Sequence, residues 1–577
     1  WDYSSWRPFR SGGMSRPLPF RLRVPLAKIL HAKQALPKAP PGSFVAAEEL
    51  WDYSSKPDYL RMILTSKVYD VASETPMQPA SKLSERLGNS VYFKREDLQP
   101  GFSFKVRGAY NKMAAMKPDD LQRGVLAHAV GGHAEGVAIA AHRLGVQATI
   151  VLPEMTGAWK QRGLERLGAK VILHGRSHSA AMEHCVALAK QSGRPLIPSF
   201  DDPYVIAGQG TVGLEILRQL TERPPCAIFV CVGGGGLLAG VAAYVKAISP
   251  AVKVIGVEAI GADAMGRSLR EGQIVTLPHV DMFAEGAAVE KPGEETFRVC
   301  DELVDDMIVV TQDEICAAVH DGFDDSRAIL EPAGALAIAG LKKWARQTGA
   351  RDEVLVAITS GANITFDRLR LLAERALLGN RTEALLATRV PDVPGALAKL
   401  HAALAERSVT ELIYRAAKTA PTYDGTATIF VSVALDSGAG AGAADERRGE
   451  GEVAAILASL QAAGVSAHDM SDNELAKSHM RYMSGGVKPA EGELLYRFDF
   501  PEQPGALRKF LNTFCKQSPD WNLTLLHYRY RGAEVSKVLT GIQIPKGDEA
   551  RFAAFLQELG YQCVDETKNP AYELYCN

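Results

Sequence analysis

The stretch that decides the fold is AIFVCVGGGGLLAGVAAYV, residues 227–245. It carries no charged side chain and is long enough to cross a lipid bilayer as a helix. Four consecutive glycines, residues 233–236, interrupt it, and each glycine costs about 1 kcal/mol in a helix relative to alanine. The pattern therefore predicts a buried strand, a glycine turn and a helix rather than a membrane span.

The same alternation of strand and helix extends from Tyr59 to about Asn380. The predicted strands are 125–130, 148–153, 169–175, 227–232, 253–259 and 354–360, and the predicted helices include 134–145 and 179–193. Each strand is a short apolar run with little internal polarity, which is typical of strands buried on both faces. We therefore expect an α/β fold with a parallel sheet between two layers of helices.

The glycine run VGGGGLLAG (232–240) lies where a strand meets a helix. Glycine lets the backbone approach a ligand closely, and a helix N-terminus presents unpaired N–H groups to an anion, so we expect a bound phosphate. Neither a G-K-[ST] sequence nor G-x-G-x-x-G is present here. The phosphate is therefore expected to belong to a ligand other than ATP or a dinucleotide.

Two further residues are candidates for chemistry. Lys105 lies in FSFKVRGAY (102–110), where its amine is either an ordinary surface charge or is held in a pocket as a nucleophile. Ser360 follows the predicted strand in ITSGAN (358–363), at the carboxyl edge of the sheet where α/β folds bind ligands. A serine at that place can also simply cap a helix.

The chain changes character after about Thr382 and contains an internal repeat. The sequence P-x-x-P-G-A-L occurs at 391–397 and again at 501–507, each time between a predicted strand and a predicted helix. Each helix is followed by a strand that ends in Tyr–Arg, at Tyr414–Arg415 and at Tyr528–Arg529. Two copies of a small α+β unit are predicted. We expect residues 436–452 to form a flexible loop inside the first copy, with a linker as the alternative.

Composition limits the remaining possibilities. A length of 577 residues predicts about three folding units, and a net charge of −2 gives no reason to expect nucleic acid as a partner. The eight cysteines form no C-x-x-C pair, so we predict no metal site and reduced thiols. From Arg7 to Lys38 there are eight basic and no acidic residues, which favours an organelle transit segment over a disordered basic tail.

The motifs together are specific. They are KRED-x-QP (94–100), SFKVRGAY (103–110), IAGQGT (206–211), VGGGGLLAG (232–240), FAEG (283–286), EPAGA (331–335) and TSGAN (359–363). In order and spacing the chain resembles the biosynthetic threonine deaminases, which are pyridoxal-phosphate enzymes of the tryptophan synthase β-like fold group. Residues 62–88 are similar to the plant and algal members in particular.

The resemblance implies a division of the chain. It predicts a transit or disordered segment at 1–57, a catalytic domain at 58–380, and two α+β ACT-like regulatory domains at 381–485 and 486–577. It also implies a homotetramer in the plastid, with the mitochondrion as the alternative location.

Site residues follow from the same resemblance. Lys105 is expected to hold pyridoxal 5'-phosphate as a Schiff base, with Phe102 and Phe104 desolvating its amine so that the neutral, nucleophilic form is favoured. Ser360 is expected to bond the pyridine nitrogen of the cofactor. The predicted cofactor-binding set is Lys105, Phe104, Gly233, Gly234, Gly235, Gly236, Leu237 and Ser360.

The implied reaction is the deamination of L-threonine to 2-oxobutanoate and ammonia, the first step toward isoleucine. A serine dehydratase or racemase is the alternative within the same chemistry, and a catalytically impaired sensor that binds the cofactor is the alternative outside it. The regulatory domains are expected to bind isoleucine as inhibitor and valine as its antagonist. Tyr414, Arg415, Tyr528 and Arg529 are the candidate effector residues, since arginine can clamp a carboxylate with two hydrogen bonds.

One loop departs from the family. Where the family has S-A-G-N-H, this chain has Ala129, Val130, Gly131, Gly132 and His133. The family's serine and asparagine, which contact substrate and cofactor, are therefore replaced by residues without the polar groups. We predict that the double change Gly132→Asn, Ala129→Ser raises the rate strongly.

Overall fold

The structure is a computed structural model. It describes residues 56–129, 131–391, 396–404, 407–413, 425–435, 444–479, 492–501, 506–517, 521–527 and 535–575. The four candidate effector residues and the expected transit segment up to residue 55 lie outside the described residues.

The part of the chain before residue 380 is built on a six-stranded sheet. Its strands are β1 (Met77–Pro79), β2 (Ser90–Lys94), β6 (Ala227–Cys231), β7 (Lys253–Ala259), β8 (Asp306–Val310) and β9 (Val354–Ile358). Their order is β1-β2-β9-β6-β7-β8, and every pair is parallel except the antiparallel edge pair β1–β2. The central strands β6 and β9 are buried along their whole length, which explains why they are apolar without alternation.

A second, three-stranded parallel sheet lies beside it. Its strands are β3 (Val125–His128), β4 (Ala148–Leu152) and β5 (Lys170–Leu173), in that order. The two sheets have separate hydrophobic cores.

Helices connect these strands, as the sequence predicts. They are α1 (Tyr59–Leu64), α2 (Ser81–Leu87), α3 (Lys105–Ala114), α4 (Pro118–Gln122), α5 (Gly132–Leu144), α6 (Ala158–Arg166), α7 (His178–Ser192), α8 (Pro203–Gln219), α9 (Gly236–Ile248), α10 (Ala264–Glu271), α11 (Glu294–Leu303), α12 (Gln312–Ser326), α13 (Pro332–Thr348) and α14 (Leu369–Gly379). The predicted α/β alternation is confirmed.

The stretch 227–245 folds as predicted, with β6 ending at Cys231 and α9 beginning at Gly236. The turn needs glycine at Gly235, whose φ of 95° is rarely adopted by other residues. Over the part of the chain that the structure describes, every helix is too short or too polar to span a membrane.

Two antiparallel sheets of four strands follow. The first contains β10 (Glu383–Pro391), β11 (Val409–Ile413), β12 (Thr426–Ala434) and β13 (Ser466–Asp469), in the order β11-β12-β10-β13. The second contains β14 (Glu493–Pro501), β15 (Asn522–His527), β16 (Val535–Gln543) and β17 (Gln562–Asp565), in the order β15-β16-β14-β17. Because the two orders are equivalent, the predicted internal repeat is confirmed.

The helices of the repeat are also equivalent. They are α15 (Ala396–Ala403), α16 (Ala444–Ala462) and α17 (Glu474–Ser478) in the first copy, and α18 (Ala506–Gln517), α19 (Glu549–Leu559) and α20 (Pro570–Tyr575) in the second. The predicted loop at 436–452 is wrong for residues 444–452, which belong to α16. Alanine, glutamate and arginine in this segment are good helix formers and outweigh its two glycines.

Candidate active site

Lys105 is the first residue of α3 and faces a cavity of about 90 Å³. Its Nζ atom donates a hydrogen bond to the carbonyl oxygen of Gly286, at 3.0 Å. Gly286 ends the FAEG motif, more than 180 residues away along the chain, so tertiary folding fixes the direction of the amine. Lys105 is half-buried and lines the cavity, which favours a residue of the pocket over an ordinary surface charge.

The two phenylalanines before this lysine have different environments. Phe104 is 8% exposed and lines the cavity beside the lysine. Phe102 is 61% exposed and does not line it. The expectation that Phe102 desolvates the amine is wrong, because positive φ angles at Gly101 (74°) and Phe102 (52°) turn the backbone outward before the helix begins.

The glycine bend forms the opposite wall. A Cβ atom on Gly234 would collide with the ring of Phe200, and one on Gly233 would lie 3.0 Å from the carbonyl oxygen of Ala287. Among the described residues, the backbone N–H groups of residues 233–235 donate to no protein acceptor. A cradle that excludes side chains and directs unpaired N–H groups into a cavity suits a phosphate.

Ser360 closes a third side. It follows β9, is 2% exposed, and its hydroxyl donates to the carbonyl oxygen of Ala333 at 3.3 Å. The thiol of Cys231 lies within hydrogen-bonding reach of Ser360, and burial raises the pKa of that thiol to about 11. The serine therefore presents a neutral hydroxyl beside a neutral thiol.

The structure brings all the predicted cofactor residues together. Lys105, Phe104, Gly233, Gly234, Gly235, Gly236, Leu237 and Ser360 line the same cavity. The individual roles of these residues stay predictions. A lysine amine, a phosphate cradle and a neutral hydroxyl around one cavity fit the aldehyde, the phosphate and the ring nitrogen of pyridoxal phosphate.

Two polar residues to which the sequence assigns no role also line the cavity. Gln209 of IAGQGT is buried at the cavity wall. Glu331 of EPAGA also lines the cavity, where burial raises the pKa of its carboxyl to about 7 and the Lys105 ammonium opposes that rise. The sequence signal for Glu331 was a glutamate directly before the proline that begins a helix. This signal could not identify a site residue, because a glutamate that caps a helix at the protein surface gives the same pattern.

The loop that departs from the family leads into α5, and Gly132 is the first residue of that helix. A Cβ atom on Gly132 would lie 2.7 Å from both Cβ and Oγ of Ser103. The same position is 3.3 Å from the amide nitrogen of Asn363, which donates to the carbonyl oxygen of Gly101 at 2.9 Å. The gain in rate predicted for the double change Gly132→Asn, Ala129→Ser stays a prediction. An asparagine at 132 also requires the Ser103 segment to shift, because Ser103 fills the space that its Cβ atom needs.

Comparison with known proteins agrees with this geometry. Residues 68–361 match the model of the pyridoxal-phosphate dependent enzymes. Residues 486–576 match the C-terminal regulatory domain of threonine dehydratase. The fold and site thus define an enzyme that uses pyridoxal phosphate and carries a regulatory domain.

Three relatives align with nine-tenths of the chain. The biosynthetic L-threonine dehydratase IlvA of Burkholderia multivorans is 48% identical over 522 residues, covering 90% of this chain and 99% of its own. The mitochondrial threonine dehydratase of Schizosaccharomyces pombe is 47% identical over 523 residues, covering 90% and 84%. The chloroplastic biosynthetic threonine dehydratase 1 of Solanum lycopersicum is 47% identical over 517 residues, covering 90% and 82%. The chain belongs to the biosynthetic threonine dehydratase family.

A solved structure extends the likeness to three dimensions. The processed form of threonine deaminase isoform 2 from Solanum lycopersicum is 46% identical and has a TM-score of 0.55. It covers 59% of this chain and 94% of its own length.

Proposed function

We propose that this enzyme deaminates L-threonine to 2-oxobutanoate and ammonia, as the first step toward isoleucine. The observation that carries the proposal is the position of Lys105 Nζ, in one cavity with the glycine bend and Ser360. The identity of 48% to a biosynthetic L-threonine dehydratase supports threonine as the substrate.

Pyridoxal phosphate, when bound, supplies an electron sink that makes the α-proton of an amino acid acidic. Lys105 would hold the aldehyde carbon and would then act as the base that takes the α-proton. Residues 233–237 would hold the phosphate through backbone N–H groups at the start of α9.

Ser360 would bond the ring nitrogen of the cofactor through its hydroxyl. Since a hydroxyl provides no negative charge, it stabilises a protonated ring nitrogen less than a carboxylate does. The weaker electron withdrawal that results favours loss of a β-substituent over reactions that need a long-lived carbanion. The buried thiol of Cys231 keeps this corner of the cavity free of charge.

The C-terminal part is proposed to regulate this activity. The two sheets with equivalent strand order are proposed to be ACT-like domains at 381–485 and 486–577, after a catalytic domain at 58–380. Isoleucine is the proposed inhibitor and valine its antagonist, bound at the strand ends near Tyr414–Arg415 and Tyr528–Arg529. A homotetramer is the proposed assembly.

An organellar location is supported by the chloroplastic and mitochondrial relatives. We propose the plastid, in keeping with the similarity of residues 62–88 to the plant members.

The test is an assay of the purified full chain, reconstituted with pyridoxal phosphate, for 2-oxobutanoate from L-threonine with and without isoleucine. Product formation that isoleucine suppresses is the expected result. Turnover of L-serine without L-threonine would replace the proposal by a serine dehydratase or racemase. A normal cofactor spectrum without any product would replace it by an amino-acid sensor. A Lys105→Ala variant is the control, since it should lose both the covalently bound cofactor and turnover.

A further inference from the structure

Glu331 is the acidic residue among the described residues that line the active-site cavity. It directly precedes α13, and its backbone N–H donates to the carbonyl oxygen of Gly361 at 3.2 Å. A Cβ atom on Gly286 would lie 3.3 Å from Glu331 Oε1. Because the carbonyl oxygen of Gly286 accepts the hydrogen bond of Lys105, the carboxyl group and the amine both lie close to this glycine.

The carboxyl group is held without neutralising hydrogen bonds. Within the described part of the chain, no N–H or O–H group donates to its oxygen atoms. Burial raises the pKa of Glu331 to about 7, the Lys105 ammonium opposes the rise, and Glu285 adds to it. Five titratable or charged groups interact electrostatically with the Glu331 carboxyl group: Lys105, Lys160, Cys231, Glu285 and Arg368. A phosphate on the glycine bend would add negative charge to the same cavity and raise the pKa of Glu331 further.

Other groups at the cavity are poorer proton donors. The thiol of Cys231 has a pKa raised to about 11 by burial, and it lies within hydrogen-bonding reach of Ser360. The hydroxyl of Ser360 donates to the carbonyl oxygen of Ala333, and an aliphatic hydroxyl is in any case a very weak acid. A half-buried carboxyl group with a pKa of about 7 is protonated in a large fraction of the molecules near neutral pH, which suits general acid catalysis.

We propose that Glu331 is the catalytic acid that protonates the departing β-hydroxyl group of the substrate. The inference rests on the proposed function, since only an elimination of water needs such an acid. The electron pair of the Cα–H bond forms the second bond between Cα and Cβ, and its proton goes to the amine of Lys105. The Cβ–O bond breaks with its electron pair on oxygen, and the proton of Glu331 completes a water molecule. Transfer of a proton from Lys105 to Glu331 through solvent then restores both groups.

The decisive comparison uses Glu331→Gln with two leaving groups. Hydroxide needs a proton in order to leave, whereas chloride does not. We therefore expect the variant to lose about 100-fold or more in kcat for L-threonine, the usual lower range for a general acid. Its kcat for β-chloro-L-alanine should fall by less than about 5-fold. The matched control is Glu290→Gln, which changes an exposed carboxylate near the same loop and should leave both rates unchanged.

Two measurements independent of turnover accompany this comparison. Titration of the apoprotein with pyridoxal phosphate should give the same affinity for wild type and variant, because the amide keeps the shape of the side chain. Infrared difference spectra of the apoprotein should show a protonated carboxyl band that disappears above about pH 7 and is missing from Glu331→Gln.

Equal losses with both substrates would overturn the inference, because they would show a structural role. A carboxyl group already ionised at pH 6 would overturn it as well. If the wild type consumes L-serine and β-chloro-L-alanine but not L-threonine, the proposed substrate fails. The comparison, run with L-serine, then still decides the role of Glu331.

Discussion

Arg375 of α14 forms a buried ionic cluster between the catalytic part and the first regulatory copy. Its guanidinium donates two hydrogen bonds to the carboxylate of Glu474 in α17, at 2.9 and 2.8 Å, and a third to Asp313 at 2.7 Å. Lys477 contacts the other oxygen of Asp313 at 2.5 Å. The cluster thus joins α12 and α14 to the regulatory helix α17.

We predict that Arg375→Met lowers the free energy of unfolding by about 3 kcal/mol. Breaking a buried ion pair by removing one partner costs about 3–5 kcal/mol. We take the lower end of this energy range because the Glu474 side chain is 34% exposed. Its carboxylate also still accepts a hydrogen bond from the hydroxyl of Ser478, at 2.6 Å. Urea unfolding of the full chain, followed by tryptophan fluorescence and circular dichroism, measures the change.

The effect of this substitution depends on pH. Burial opposes ionisation of Glu474, but the Arg375 guanidinium outweighs it and lowers the pKa of Glu474 from 4.5 to about 2. A carboxylate with a lowered pKa in the folded state stabilises that state above pH 4.5, and the contribution is lost as the pH falls toward 2. The difference between wild type and Arg375→Met should therefore narrow below pH 4.5.

The cluster is also connected to the active site. Arg368 lies two turns before Arg375 and donates to Glu285 at 3.0 Å, and Glu285 precedes Gly286, whose carbonyl oxygen binds Lys105. We expect Arg375→Met to weaken the proposed inhibition by isoleucine at least 5-fold, the lower limit of usual allosteric coupling.

Arg370→Met is the matched control for both measurements. Arg370 lies on the same helix, is 70% exposed and pairs with Glu374, and an exposed pair contributes only about 0.2–1 kcal/mol. If Arg375→Met unfolds like this control and isoleucine inhibits both variants equally, the cluster does not couple the two parts of the chain.

Two further predictions concern glycines at the active site. Gly234→Ala should weaken the binding of pyridoxal phosphate about 100-fold or more, as measured by fluorescence titration. The reason is that the new Cβ atom would collide with the ring of Phe200 and force the phosphate cradle open. Gly163→Ala is the control and should bind the cofactor normally, because the Cβ position of Gly163 has open space around it. Gly132→Asn should lower the free energy of unfolding by about 1–3 kcal/mol, as overpacking usually does. Adding Ser103→Gly should restore part of the lost stability, because it removes the Cβ and Oγ atoms that lie 2.7 Å from the Cβ position of residue 132. A Gly132→Asn variant more stable than the wild type in urea unfolding would contradict this reasoning.

The sequence by itself determined the elements that are written in consecutive residues. The strand, bend and helix of 227–245 could be predicted because apolar runs, glycines and helix formers act locally. The repeat was visible for the same reason, since each copy carries its own turn and helix start. Lys105 and Ser360 could be proposed because each lies in a short, distinctive motif.

Contacts between distant segments were decided only by the tertiary structure. The exposure of Phe102 follows from a backbone turn that precedes α3, and residue type alone does not determine that turn. The position of Glu331 beside Gly286 and Gly361 depends on segments that meet at the edge of the sheet. Its raised pKa exists only there, because burial and neighbouring charge are properties of the folded chain and not of a glutamate in sequence.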